Sequence, residues 1–187
     1  MPTTLKITKE KIIDVAFEIA RKKGLEGVSN REIAKKLNSS IRPIYYQFEN
    51  AKQLKNELYK RIEEYFYSFL LNDNNSISSY KQVGINYIRF AKKEKKLFKI
   101  LFMSDVKLEL NDVISNDNEN FIEIAKLIKP ITKLSDEQVM SFHTKMWIFT
   151  HGIATLVASD TITLNKMQIG KLLTSEFKAL MFLEKNK

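Results

Sequence analysis

Ser29-Asn30-Arg31-Glu32-Ile33-Ala34-Lys35-Lys36-Leu37-Asn38-Ser39-Ser40-Ile41-Arg42-Pro43-Ile44-Tyr45-Tyr46-Gln47-Phe48 is the stretch that decides the fold. It reads as two short helices separated by a polar turn, each with a capping residue at its start. Ser29 followed by Glu32 has capping-box spacing: the hydroxyl accepts from the third backbone N–H, and the Glu reaches back to the cap's own amide. Ile33, Ala34 and Leu37 recur at helical spacing and make one face apolar. Asn38 suits the left-handed conformation that ends a helix, and Ser40 is placed to cap the next one. Pro43 is tolerated there because first-turn amides have no intrahelical partner to lose. Ile44, Tyr45 and Phe48 give the second helix an apolar stripe. Small apolar positions, a short turn and an aromatic second helix form the pattern of a helix-turn-helix, which lays its second helix in the major groove of DNA.

The charge is concentrated around this motif. The chain has 187 residues and a formal net charge of +9. Residues 1–61 hold 14 Lys and Arg against 7 Asp and Glu, a net +7, whereas residues 62–187 hold 17 against 15, a net +2. A uniformly basic, merely solvated surface would not show that bias. With 44% hydrophobic and 11% aromatic residues, general disorder is excluded. Five Gly, three Pro and the absence of strand-like runs point to an all-α protein. The segment opening Met1-Pro2-Thr3-Thr4-Leu5-Lys6 lacks the apolar run of a signal peptide. The longest apolar stretch, residues 146–158, is broken by His151 and Gly152 and is shorter than the ~20 residues that cross a bilayer. A cytoplasmic protein with no membrane partner is expected.

Periodicity predicts about nine helices. The first spans residues 8–23, with Ile13, Ala16, Phe17 and Ala20 on one face and Gly24 as its stop. Asn50, with Gln53 in the box position, opens a long helix over 51–71 through Leu54, Leu58, Ile62, Tyr65 and Phe69. A polar break over 72–76 precedes helices at 78–93 and 97–103. The Asn- and Asp-rich stretch 104–120 carries no clear period. A helix over 121–128 is expected to end at Pro130. Ser135 with Gln138 opens a long helix to about residue 159, and a last one covers 166–184.

Residues 8–54 resemble the N-terminal domain of the TetR family of transcriptional regulators. The resemblance rests on Ser29…Glu32-Ile33-Ala34, Ser40, Ile44-Tyr45, Phe48 and the Asn50…Leu54 run. It implies a three-helix DNA-binding head over residues 1–50 and a helical effector-binding and dimerisation body over 51–187. Two positions depart from the family pattern: Ala51, with Lys52 beside it, stands where Lys is usual, and Gln47 stands where His is frequent. Both usual residues are phosphate-side contacts. Reach along the motif sorts the DNA roles. Ile41, Arg42, Pro43 and Tyr46 face outward as candidates for base edges, with Arg42 suited to guanine and Ile41 and Pro43 to thymine methyls. Thr8, Ser29, Ser40, Tyr45, Gln47 and Lys52 fit phosphate anchoring, Tyr45 with a buried ring and its hydroxyl at a phosphate. Arg31 is a solvated charge or a further DNA contact. Ile44 reads as core.

In the body, Trp147, His151, Ala154 and Ala158 share one helical face. This resembles a C-terminal regulatory domain named for its Trp-His-Gly motif, found within the TetR family. For His151 a core histidine with one hydrogen bond is favoured over a ligand contact. Tyr87, Phe90, Phe98, Phe102, Phe121, Phe142, Trp147 and His151 are the candidate effector-pocket residues, although aromatics at helical spacing are usually core. Ala154, Ala158, Ile169, Leu172, Leu173, Leu180 and Met181 are the dimer-interface candidates.

Catalytic and metal chemistry find little support. There are no cysteines, which excludes disulfides and thiolate-bound metals. His143 and His151 lie eight residues apart, ~12 Å along one helix, too far to share an ion. The five glycines never approach the spacing of a phosphate-binding loop. No cofactor or metal site is expected. The sequence therefore reads as a homodimeric regulator, a repressor released from a palindromic double-stranded operator by an apolar or aromatic small molecule. An activator or protein-responsive regulator stays open, as does, in another class, a helical-bundle enzyme or carrier with a basic docking head.

Overall fold

A computed structural model describes residues 7–71, 79–104 and 119–186 of the chain. The expected polar break at 72–76 and nearly all of the stretch 104–120 lie outside the described residues. Among those described there are nine α-helices, one 3-10 turn and no strand. They are α1 (Lys9–Lys23), the 3-10 turn Leu25–Gly27, α2 (Asn30–Lys36), α3 (Arg42–Gln47), α4 (Ala51–Leu71), α5 (Tyr80–Lys93), α6 (Lys95–Phe102), α7 (Glu119–Thr132), α8 (Asp136–Ala158) and α9 (Lys166–Lys185).

The helix starts follow their caps. Ser135 accepts from Gln138 N at 3.3 Å while the Gln138 side chain accepts from Ser135 N at 3.0 Å, a complete capping box. Asn165 and Gln168 make the same reciprocal pair at 2.9 Å each and open α9. At α4, Asn50 Oδ1 accepts from Gln53 N at 2.9 Å, and the Gln53 side chain accepts instead from Glu49 N at 2.8 Å. One helix end departs from expectation: α7 continues through Pro130 to Thr132. A proline this near the terminus forfeits one hydrogen bond, and Thr132 Oγ1 donates to Ile128 O at 2.9 Å before Lys133 (φ 59°) ends the helix.

The chain divides into two compact units. The first contains α1–α3, α4 up to Phe66, and Lys96–Ser104, which is nearly all of α6. Its core is Ile12, Ala16, Phe17, Ile19 and Ala20 of α1, Ile33 and Ala34 of α2, Ile44 of α3, Phe48, and the +4 series Leu54, Leu58 and Ile62 of α4. Polar pairs align α1 with α4: Lys9 with Glu57 at 3.0 Å, and Arg61 with Asp14 at 3.4 Å. The Arg61 guanidinium also lies 5.1 Å over the Phe17 ring. From α6, Leu101 O accepts from the Tyr59 hydroxyl at 3.0 Å, and Phe102 meets Phe66 edge-on.

The second unit contains Tyr67–Lys95 and the chain after Ser104. α5 and α8 form its centre. Two tyrosine–histidine bonds join them, Tyr80 to His143 and Tyr87 to His151. The partners advance together along both helices, so α5 and α8 run in the same direction. α9 returns along α8 through a short connection, and buried Glu184 accepts from Lys145 at 3.2 Å. Among the described residues, no helix is long and apolar enough to cross a membrane.

Gly24 closes α1 at φ 82° and ψ −178°, a region open essentially to glycine alone, and its N–H caps Ala20 O at 2.8 Å. A Cβ there would also lie 2.5 Å from the Glu26 carboxylate, which can swing aside, whereas the backbone cannot. Gly24→Ala is therefore expected to destabilise the protein by about 1–3 kcal/mol in urea unfolding. A change below about 0.5 kcal/mol, the size of an ordinary surface substitution, would mean that the turn re-forms without strain.

Candidate nucleic-acid interface and aromatic clusters

The turn between α2 and α3 is built by backbone hydrogen bonds. Ser39 N donates to Ala34 O at 3.0 Å and Asn38 N to Lys35 O at 3.2 Å, with Asn38 at φ 49°. This is a Schellman arrangement, the structural meaning of the asparagine after the first helix. At the start of α2, Ser29 Oγ accepts from Glu32 N at 3.2 Å. The reciprocal half of the expected box does not form. The Glu32 carboxylate takes Lys23 Nζ at 3.0 Å instead, and this bond lowers its pKa from the ordinary range. Nor does Ser40 cap α3: Ile41 stands at the cap position with no side-chain bond.

α3 has two opposed faces. Ile44 and Phe48, four residues apart, are buried, while Ile41, Arg42, Tyr45 and Tyr46 are exposed. Tyr46 is 85% exposed and Tyr45 61%, which corrects the expectation of a buried Tyr45 ring. The reason is angular: one residue past Ile44 the helix has turned ~100°, carrying Tyr45 away from the core. Pro43 is half-buried in the first turn. Ile41 and Tyr45, and Arg42 and Tyr46, are (i, i+4) pairs, so the four side chains form one compact outward patch.

The other candidates fall into two groups. Arg31, Arg42 and Lys52 are exposed and form no ion pair among the described residues, and neither do Lys35 and Lys36 of α2, which the sequence reading did not single out. Their signal was present as a Lys-Lys pair on the polar side of α2. Thr8, Ser29 and Gln47 have hydrogen bonds within the first unit instead. Thr8 caps α1 by accepting from Lys11 N at 3.3 Å, and Gln47 Nε2 donates to Ile7 O at 3.3 Å. Ser40 is exposed beside Ser39, whose hydroxyl donates to Ser40 O at 2.9 Å.

The aromatic candidates form separate clusters. In the first unit Phe98 is fully buried and packs on Phe102, with 5.0 Å between centroids. In the second unit Tyr87, Trp147 and His151 make one network. The Tyr87 hydroxyl and His151 Nδ1 share a hydrogen bond at 2.8 Å, and Trp147 stacks on the His151 ring with 5.3 Å between centroids. Phe121 and Phe142 surround a second network, in which the buried Tyr80 hydroxyl bonds His143 Nδ1 at 2.9 Å. Phe90 is buried against Phe69. Burial raises both tyrosine hydroxyls above their ordinary pKa, lowers His151, and pushes His143 down to about 4. All four groups are neutral at pH 7. The tyrosine partners, 63 and 64 residues away, are what the sequence reading missed. Among the dimer-interface candidates, Ala154, Ala158, Ile169, Leu173 and Leu180 are buried within this chain, Met181 is half-buried, and Leu172 is exposed.

The architecture is that of a helix-turn-helix protein with a helical second unit. Residues 12–58 match the model of bacterial regulatory proteins, tetR family. The resemblance to that family is thus carried by the head, and the chain as a whole shares the fold of solved structures described as TetR-family regulators. A curated relative, the biofilm operon icaADBC HTH-type negative transcriptional regulator IcaR of Staphylococcus epidermidis, is 31% identical over 83 residues, 43% of this chain. The matched region covers 45% of that relative, so the chain spans less than half of its length. Among solved structures, a TetR-family transcriptional regulator from Haemophilus influenzae matches with a TM-score of 0.62 and 17% identity, over 91% of this chain and 94% of that one. A TetR variant from Acinetobacter baumannii in complex with minocycline matches with a TM-score of 0.57 and 14% identity, over 96% and 98%. At these identities the structural likeness is one of fold.

The neutral His143 makes stability depend on pH. Its pKa is near 4 folded and 6.5 in the ordinary state, so between these values the unfolded chain binds more protons. The contribution is complete above about pH 6.5 and is lost as the pH falls toward 4, a span of about 3 kcal/mol. Urea unfolding at a series of pH values should show this decline, and His143→Gln should flatten it. An undiminished decline in the variant would assign the acid sensitivity to other groups.

Proposed function

We propose that this protein is a homodimeric DNA-binding transcriptional regulator, a repressor that leaves a palindromic operator when a small molecule occupies its second unit. The observation that carries the reading is the outward patch of Ile41, Arg42, Tyr45 and Tyr46 on a short helix whose other face is locked into the core. Arg42 reads guanine, Ile41 and Tyr46 contact apolar base edges, and Tyr45 reaches the phosphates. Thr8, Ser29, Arg31, Ser40, Gln47 and Lys52 position the head on the backbone, with Pro43 shaping the first turn of the reading helix. The net +7 of residues 1–61 supplies the electrostatic attraction.

Two copies associate through α8 and α9, placing their heads in successive major grooves about 34–36 Å apart or at a multiple of that spacing. On α8, Ile148 and Leu156 are exposed, with Gly152 between them open to solvent; on α9, Leu172 and Leu183 are exposed. The Lys145–Glu184 pair sets these antiparallel helices in register, so Ile148 lies within a turn of Leu183 along the axis and Leu156 within a turn of Leu172. Solvent-exposed apolar stripes on two adjacent helices fit an isologous interface better than the buried Ala154, Ala158, Ile169, Leu173 and Leu180 do. The repressor role is supported by the negative regulator among its relatives, and the effector by the minocycline complex of a fold neighbour. Such a ligand acts by binding the DNA-incompetent arrangement more tightly.

The test is selection of DNA by the full chain from a random pool, followed by binding across a salt series. A palindromic site should emerge, and Arg42→Ala should weaken it by about 1–3 kcal/mol while leaving random DNA nearly unchanged. Equal loss on both would make Arg42 a phosphate contact, and failure to select any site would remove the regulator reading. Leu156→Arg should shift the protein to monomer in sedimentation and weaken the palindrome more than a single half-site. A dimer unaffected by this change would move the interface elsewhere.

A further inference from the structure

The second unit carries an open groove of about 800 Å³ between α5 and α9, within the size range of small-molecule sites. None of the candidate effector-pocket residues lines it. Its apolar lining is Ile85, Gly170 and the exposed Met167, and four lysines also line it: Lys81, Lys166, Lys171 and Lys178. Among the described residues no carboxylate lines the groove and none of these lysines forms an ion pair. Residues 62–187 have a net charge of only +2, so four lysines around one concavity are a local concentration of positive charge. The N-terminal end of α9 adds its positive dipole to the same place. Gly170 keeps the floor low: a Cβ there would meet Lys81 Cε at 3.5 Å, so the lysine stem lies across the groove at ordinary contact distance.

We propose that this groove binds a monomeric anionic amphiphile, a long-chain carboxylate whose head lies among the lysines and whose chain follows Ile85, Met167 and Gly170. A small inorganic anion would leave the apolar floor wet, and a neutral hydrocarbon would leave four cations unanswered. The combination selects a molecule with both parts. A flat membrane surface cannot follow a concave floor, whereas a single flexible chain can. The groove lies on the far side of α9 from Leu172 and Leu183 at ~100° of turn per residue, so ligand and dimer partner occupy different faces.

The test uses the full chain and no DNA, so it stands or falls separately from operator binding. A fluorescent long-chain polyene fatty acid is titrated into the protein and displaced by laurate, by dodecanol, by inorganic phosphate and by phosphatidylglycerol vesicles. Saturable one-to-one binding is expected, with laurate displacing the probe, dodecanol far weaker and phosphate inert. A carboxylate two methylenes shorter should bind roughly tenfold more weakly. The double variant Lys171→Gln/Lys178→Gln, which removes only exposed charges, should weaken the probe by about tenfold and reduce its salt dependence. Gly170→Leu should fill the floor and abolish binding. Unaltered affinity in the double variant, equal displacement by dodecanol, absence of saturable binding, or vesicles outcompeting free laurate would each overturn the proposal.

Discussion

A helix of six residues cannot hold itself in water, because nucleation fixes several dihedral angles before the first hydrogen bonds offset that loss. α3 exists only because Ile44 and Phe48 are buried in the first unit and because the Schellman turn at Asn38 delivers the chain to its start. That constraint has a direct functional consequence. With one narrow stripe committed to the core, the exposed side chains of α3 are free to differ without affecting the fold. Ile41, Arg42, Tyr45 and Tyr46 are exposed on a helix whose orientation they do not determine. Folding and the proposed recognition are thus assigned to different faces of residues 41–48.

The second unit is held by a different kind of constraint. Two buried tyrosine hydroxyls each meet an imidazole nitrogen across α5 and α8, about two turns apart on both helices. A buried hydroxyl or imidazole without a partner is costly, so each group makes the other admissible in the core. A slip of one residue between the helices would break both bonds at once, and the pairs therefore fix register in a way that leucines alone would not. Trp147 extends the second pair by stacking on His151. The Trp-His-Gly segment is accounted for by packing: two aromatic residues complete a polar network, and Gly152 leaves the outer face of α8 flat.

The features legible in the sequence were local ones. Ser135 with Gln138, the left-handed Asn38 and the Ile44–Phe48 stripe each depend on residues within one or two turns, and each is found in the structure. What escaped reading depended on distance along the chain or on angle. Glu32 abandoned its cap for Lys23, a competitor nine residues away and absent from the capping rule. Tyr45 carries an apolar ring, but its position one residue past Ile44 turns it to solvent. The Tyr80–His143 and Tyr87–His151 pairs join residues with no local signature. Asn165 with Gln168 had the same signature as Ser135 with Gln138 and was equally readable.

α9 shows how one helix serves several ends when its faces are kept apart. Its inner face packs Ile169, Leu173 and Leu180 into the core, where Leu173 approaches Gly84 of α5 so closely that a Cβ there would lie 3.0 Å from Leu173 Cδ1. The glycine is what lets α5 and α9 come together, and the same approach sets the width of the lysine-rimmed groove beside it. A second face leaves Leu172 and Leu183 exposed, the stripe proposed for a partner copy. Since the core face is close-packed, a ligand that spread α5 from α9 would loosen the contact of Leu173 with Gly84. Displacement there would move the whole of α9, including the apolar stripe, because a helix transmits a shift along its length more readily than it bends. The position of Gly84 therefore ties the groove and the proposed dimer face to one packing contact.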